Sequence, residues 1–339
     1  MRAIGAVLVC LLLVARSLHA GEPTGLREDM IFAEADPWSS NAELARRGLT
    51  PLSQDALAAD LEKRHKKLAD YPLVAEQERF VLYVPPDMPP GGYGLLVFVG
   101  PWQAAKVPPG WQRVLDLLGV IYVSAARSGN EEIVQSRREP LALMAAGAVQ
   151  KLYPVDPAHI FVGGLSGGSR VAEKLALGYP DLFKGVLLNA GSDRLGESGV
   201  VVPPKDLFRQ FQENSRVVFV TGEQDRVNLE LDRDTQLSFE EFCVQGGTSQ
   251  DVPLLGHAIA PASALKQALR WLLDARPIDD SQLNSCRAKL DMKIAAALDK
   301  VKALKAKGDE TAARSMLEEL DTRYGGLAAP ESVELARSP

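Results

Sequence analysis

The chain has 339 residues, 46% of them hydrophobic and 24% charged, with a net charge of −6. That balance excludes a disordered chain, and the acidic surplus excludes a basic nucleic-acid binder. Three Cys and four His are too few for a zinc site built from repeated Cys pairs.

The first residues read as a leader. Arg2 precedes an apolar run from Ala3 to Ala15, and Leu18-His19-Ala20 leads into Gly21. A short basic start, an apolar centre and a small residue at the end describe a secretory signal over residues 1–20, cleaved after Ala20. The alternative is an uncleaved anchor, but the run is short of the roughly 20 apolar residues that span a bilayer. The chain is therefore expected to be exported, to the periplasm or the medium, with no stable membrane span after processing. Cys10 and His19 leave with the leader. Cys243 and Cys286 remain, and an exported pair can form one disulfide or stay as two buried thiols.

A polar lead over 21–76 follows, with helical stretches at Ser40–Arg47 and Ser53–Leu68. The second carries His65 within a basic run that reads as a solvated face. From about Glu78 the period changes. Strands are expected at Phe80–Val84, Leu95–Val99 and Val120–Ser124, then a helix over Glu139–Leu152. His159-Ile160-Phe161-Val162 is a buried strand that enters a glycine-rich turn and a helix over Ser169–Leu177. Strands at Gly185–Leu188 and Val217–Val220 follow, the second leading to a helix over Leu229–Val244. A short strand around Val252–Leu255 precedes a helix over Pro261–Leu273. Short apolar runs alternating with helices predict a mostly parallel sheet covered on both faces, here over residues 77–275. Ligands of such sheets bind beyond the C-terminal strand ends.

Between Ser192 and Arg216 only one helix is inserted, roughly Pro204 to Glu213. Its Leu207, Phe208 and Phe211 have helical spacing, which favours core over the wall of an acyl pocket. Beyond Asp274 aromatic residues nearly vanish. Leu290, Ile294, Leu298, Val301 and Leu304 form one helical stripe, and Ala313, Met316, Leu317 and Leu320 a second. This hairpin, over 276–339, resembles one unit of a tetratricopeptide repeat. A lone repeat is rare, so the stripe is expected to pack on its own core or a second subunit rather than serve as a recruitment module.

Gly164-x-Ser166-x-Gly168, between a strand and a helix, is a nucleophile-elbow pattern. The turn lifts the serine hydroxyl clear of the sheet and aims the helix N-terminus at developing negative charge. A serine needs a base. His159 lies at the far end of the strand that leads to Ser166 and His65 lies in the charged helix, which leaves His257. The base needs a carboxylate. Asp225, in the turn after the strand Val217–Val220, completes the order Ser, acid, His; Glu223, Asp232 and Asp234 are the alternatives. An oxyanion hole needs two N–H donors: the backbone of Gly167, and a residue of the loop Gly100-Pro101-Trp102-Gln103. Pro101 has no N–H, so Trp102 is the candidate, with Gln103 second. Both residues are also candidates for binding substrate; for Trp102 the alternative is a core tryptophan.

These residues together resemble the α/β-hydrolase superfamily, and within it secreted bacterial esterases of the polyhydroxybutyrate-depolymerase and feruloyl-esterase type. The resemblance rests on Asp156-Pro-Ala-His-Ile160-Phe-Val-Gly-Gly-Leu-Ser-Gly-Gly168, on Val220-Thr-Gly-Glu-Gln-Asp225 and on Gly256-His257-x-x-x-Pro261. It covers about Arg79 to Leu273. It implies an α/β-hydrolase fold with a C-terminal helical hairpin, and hydrolysis of a small-molecule or polymeric ester through an acyl-enzyme, with no cofactor and no metal. Where such enzymes often carry His-Gly, the oxyanion loop has Gly100-Pro101. A serine peptidase or acyltransferase on the same three residues, or an inactive hydrolase fold used for binding, are the competing readings.

Overall fold

The structure is a computed structural model that describes residues 23–33, 36–70, 73–197, 199–274 and 278–338. The expected leader, with Cys10 and His19, lies outside the described residues. Among those residues no helix is long and apolar enough to cross a membrane.

The architecture is an eight-stranded sheet with helices on both faces: the α/β-hydrolase fold, followed by C-terminal helices. The strands are β1 (Gly25–Met30), β2 (Phe80–Val84), β3 (Tyr93–Val99), β4 (Val120–Ala125), β5 (Val155–Leu165), β6 (Gly185–Asn189), β7 (Arg216–Gly222) and β8 (Gly247–Val252). Their order across the sheet is β1-β2-β4-β3-β5-β6-β7-β8. Only β2 runs against the others, pairing antiparallel with β1 and β4. Parallel pairing leaves Val97 of β3 between Val123 of β4 and Val162 of β5. Strands covered on both sides must be apolar at every position, and β2, β3 and β6 are buried throughout.

The sheet has a core on each face. Leu95 and Val97 point to one, Leu96 and Phe98 to the other, as the twofold strand period requires. Helices α3 (Trp111–Leu118) and α8 (Ala262–Leu273) close one face. The other is closed by α4 (Glu139–Leu152), α5 (Gly167–Gly178), α6 (Lys205–Asn214) and α7 (Arg226–Glu241). Two helices precede the sheet's second strand, α1 (Asn41–Gly48) and α2 (Pro51–Lys63). Phe208 and Phe211 of α6 are fully buried, with Phe242 edge-on to Phe208, so this helix is core, as its spacing predicts.

Three expectations are corrected. The last strand is β8, which starts five residues before the run Val252–Leu255 and ends at its first residue. Pro253 and Leu254 instead form a turn, with Leu254 at φ +61° and largely exposed. As an edge strand β8 needs one neighbour and one half-buried face, so a polar sequence suffices. The same holds for β1, a charged edge strand within the lead read as helical. Helix α2 starts earlier and stops earlier than expected. Thr50 caps it with Pro51 in the first turn, and His65 lies past its end, exposed at φ +52°. Helix α3 had no counterpart in the sequence reading.

The tail comprises α9 (Asp280–Ala306), α10 (Glu310–Tyr324) and α11 (Glu331–Arg337). Its stripe, Leu283 to Val301 on α9 and Ala313 to Tyr324 on α10, joins the core that holds Phe208 and Phe242. Arg287 donates to Gln212 and Glu213 of α6, at 2.7 Å each. Cys243, after α7, is disulfide-bonded to Cys286 of α9. Asp321 accepts from the backbone N–H of Leu52 at the start of α2 (3.1 Å), which ties the tail to the lead.

Candidate active site

The elbow is built by steric necessity. β5 ends at Leu165, and Ser166 adopts φ 56°, ψ −121° before α5 begins at Gly167. A non-glycine residue there is strained and persists only where its surroundings fix it. The Ser166 N–H donates to the Asn189 carbonyl at 2.9 Å. A Cβ at Gly164 would lie 2.2 Å from the Gly168 carbonyl oxygen, and one at Gly168 would lie 2.0 Å from that of Val99. Only glycine lets β3, β5 and α5 approach so closely.

The loops after β7 and β8 bring two more side chains to this turn. His257 Nε2 is 2.9 Å from Ser166 Oγ, and His257 Nδ1 is 2.6 Å from Asp225 Oδ2. Asp225 is buried and caps α7, while His257 is half exposed. Burial pushes the Asp225 carboxyl up, but hydrogen bonds from His257 and Asn228 outweigh it and hold the group below its ordinary value. Carboxylate at Nδ1 fixes the tautomer with the proton on that nitrogen, leaving the Nε2 lone pair toward the serine. Of the alternatives, Glu223 and Asp234 do not meet His257 in a hydrogen bond. Asp232 is buried elsewhere, accepting from Ser192 Oγ and Thr221 Oγ1 at 2.6 Å each. His159 pairs with Asp156 at 2.9 Å, at the opposite end of β5.

Two asparagines escaped the sequence reading. Asn228 Nδ2 donates to both Asp225 oxygens, at 2.9 Å each. Asn189, the last residue of β6, is fully buried and ties three loops together. Its carbonyl receives Ser166, its Nδ2 donates to the carbonyls of Val220 (2.9 Å) and Ala258 (3.3 Å), and its Oδ1 accepts from Ala260 N–H (2.7 Å). The signals were a polar residue ending an apolar strand, and an Asn three places after a helix-capping Asp. Trp111 adds a further anchor, donating from its indole to the Ala260 carbonyl at 2.9 Å.

The loop Gly100-Pro101-Trp102-Gln103 follows β3. Gly167 heads α5, so its N–H has no acceptor within the helix. Trp102 folds its indole over Gly100, with Lys106 Nζ 4.2 Å above the ring; the indole N–H is buried and meets no partner among the described residues. Gln103 directs its carboxamide to Glu131 and Glu132 (2.9 and 3.2 Å). The loop is held from behind by Arg138, which donates to the Gly100 carbonyl at 3.2 Å, and by the Asn130 N–H on the Pro101 carbonyl at 3.1 Å. The Asn130 side chain covers Gly167, where a Cβ would come 2.4 Å from its Oδ1. Among the described residues no cluster of three or more His, Cys, Asp or Glu is arranged to hold a metal ion.

No family model matches the chain, and no curated protein matches its sequence. Several solved structures are similar to it. S-formylglutathione hydrolase from Staphylococcus aureus is 14% identical, with a TM-score of 0.49 over 61% of this chain and 96% of that one. An esterase of Pyrobaculum calidifontis is 18% identical, with a TM-score of 0.42 over 57% and 80% of the two chains. Est1E from Butyrivibrio proteoclasticus is 15% identical, with a TM-score of 0.43 over 58% and 93%.

Proposed function

We propose that this chain is a serine hydrolase that cleaves carboxylic esters through an acyl-enzyme, with Ser166 as nucleophile, His257 as base and Asp225 as the acid that orients it. The observation that carries this reading is the position of His257, hydrogen-bonded through one nitrogen to the strained serine and through the other to a buried carboxylate. Nε2 takes the hydroxyl proton as Oγ bonds to the ester carbon, and the carbonyl π pair moves onto oxygen. The N–H groups of Gly167 and Trp102 hold that oxyanion. The pair then returns, the ester C–O bond breaks, and the alkoxide leaves with the proton from His257. Water attacks the acyl-enzyme with the same base and releases the acid.

The likeness of the elbow and histidine turns to secreted depolymerase and feruloyl-esterase types favours an exported enzyme acting on an ester of that kind. The disulfide fits an oxidising compartment. The test is labelling with a fluorophosphonate probe, beside turnover of p-nitrophenyl esters of graded acyl length. Ser166→Ala is expected to abolish both. Turnover retained in that variant would overturn the assignment of the nucleophile. An unlabelled wild-type protein would favour the inactive binding scaffold, and cleavage of peptides in preference to esters would favour the peptidase.

A further inference from the structure

A cavity of about 520 Å³ lies between α1, α2, α4 and α5, against the segment after β6. That volume falls within the ~300–1,000 Å³ of small-molecule sites. It is remote from the elbow: Lys174 and Gly178, both in its wall, follow Ser166 along α5 by about 12 and 18 Å at 1.5 Å per residue. None of Ser166, His257, Asp225, Trp102 or Gln103 lines it.

Much of the wall is aliphatic, with Leu44, Leu57, Leu175 and Val200 in it, and Glu139 and Lys174 also line it. Neither meets a hydrogen-bond or ion-pair partner among the described residues. Both side chains are partly buried, and a charged group that has given up part of its hydration is stabilised by a polar partner. The other basic residue of the wall, Arg47, is already engaged with Glu43, Asp181 and the Gly178 carbonyl.

We propose that this cavity is a second ligand site that takes an aliphatic carboxylic acid, its head group between Lys174 and Glu139 and its chain along Leu44, Leu57, Leu175 and Val200. The charge pattern selects an acid over an amine. Lys174 forms no hydrogen bond or ion pair among the described residues, although it lies near enough to Glu139 to act on its charge, and Arg138, beside Glu139, spends its guanidinium on the carbonyls of Ser128 and Gly100 rather than on a carboxylate. Burial pushes the Glu139 carboxyl up to about 7, with Lys174 and Arg138 offsetting part of the rise. In its neutral form the group donates an O–H to a bound carboxylate. This site stands apart from the ester-hydrolase reading, because nothing in it depends on Ser166.

The test is isothermal titration of the full chain carrying Ser166→Ala, with sodium dodecanoate below its micellar range. One-to-one saturable binding is expected, tightening about fourfold per methylene from hexanoate upward. Lys174→Met and the cavity-filling Ala45→Trp are each expected to weaken it at least about tenfold, with far-UV circular dichroism and thermal midpoint measured alongside. Absence of saturable binding to the parent, or equal binding in both folded variants, overturns the site. Dodecylamine binding as tightly as dodecanoate overturns the assignment to an acid. Dodecanoate binding with these sensitivities, whether or not the wild-type protein hydrolyses esters, upholds it.

Discussion

At the scale of single residues, the site depends on how firmly Asp225 is held. Its two oxygens accept from His257 and, twice, from Asn228. Asn228→Ala removes the side-chain donor to both oxygens and leaves the Asn228 backbone N–H as the remaining neutral donor, so a buried carboxylate is partly unpaired. Hydrogen bonds to a charged group contribute about 1.5–3 kcal/mol. If the ester-hydrolase reading holds, kcat for a p-nitrophenyl ester is expected to fall about ten- to a hundredfold with little change in KM, because Asn228 does not reach the serine. Losing this donor also raises the Asp225 carboxyl toward its ordinary value. A variant with unchanged kcat would leave Asn228 with no part in positioning. The meeting of Ser166, His257 and Asp225 was legible in the sequence because histidines are scarce and the elbow glycines have no substitute. Asn228 and Asn189 could not, since their value lies in which loops they touch, and that emerges only when β6, β7 and the His257 loop are laid side by side.

At the scale of elements, the buried strands were legible because burial on both faces forces continuous apolar runs, as in β3 and β6. The edges β1 and β8 were not, because an edge strand tolerates a sequence that resembles a loop. Helix α5 carries a feature that pattern alone hides. Glu173 sits on its inward face, almost fully buried; Oε2 accepts from the Asp193 N–H at 2.9 Å, and Oε1 meets no partner among the described residues. Burial first, and then the nearby Asp193 and Asp232, push its carboxyl well above the ordinary value. Unfolded, the same group titrates near ~4.3. Above that pH the unfolded chain has released a proton that the fold retains, so stability falls as pH rises toward the folded value. Glu173→Gln removes this dependence. The melting temperature of the variant, taken relative to wild type, is expected to rise between pH 5 and pH 8. Parallel curves for the two proteins across that range would show that Glu173 ionises alike in both states.

At the scale of the whole molecule, the tail is continuous with the core of the sheet. Its stripe was legible as a helical hairpin, and the sequence favoured packing on a core. The identity of that core was not, because Phe208, Phe242 and Tyr324 are far apart in the chain and meet only in the fold, with Tyr324 and Phe242 centred 6.0 Å apart. The disulfide has the same character: spacing could not decide the pairing, and the approach of α9 to the end of α7 does. Cys243 and Cys286 are 43 residues apart in sequence. Closing a loop of that size removes unfolded-state entropy equivalent to roughly 4 kcal/mol in the chain-entropy model, and native disulfides typically contribute 2–5 kcal/mol. Cys243→Ser with Cys286→Ser is therefore expected to lower the denaturant midpoint by an amount corresponding to about 2–4 kcal/mol, and dithiothreitol to do the same to wild type. Asp225 caps the opposite end of α7, and a helix of that length places it about 25 Å from Cys243. Below the melting transition, ester turnover by the cysteine-free variant is accordingly expected to match wild type. Turnover lost in the folded variant would mean that the crosslink positions Asp225 along α7. A denaturant midpoint unchanged by either treatment would mean that tail packing alone holds α9 against the core.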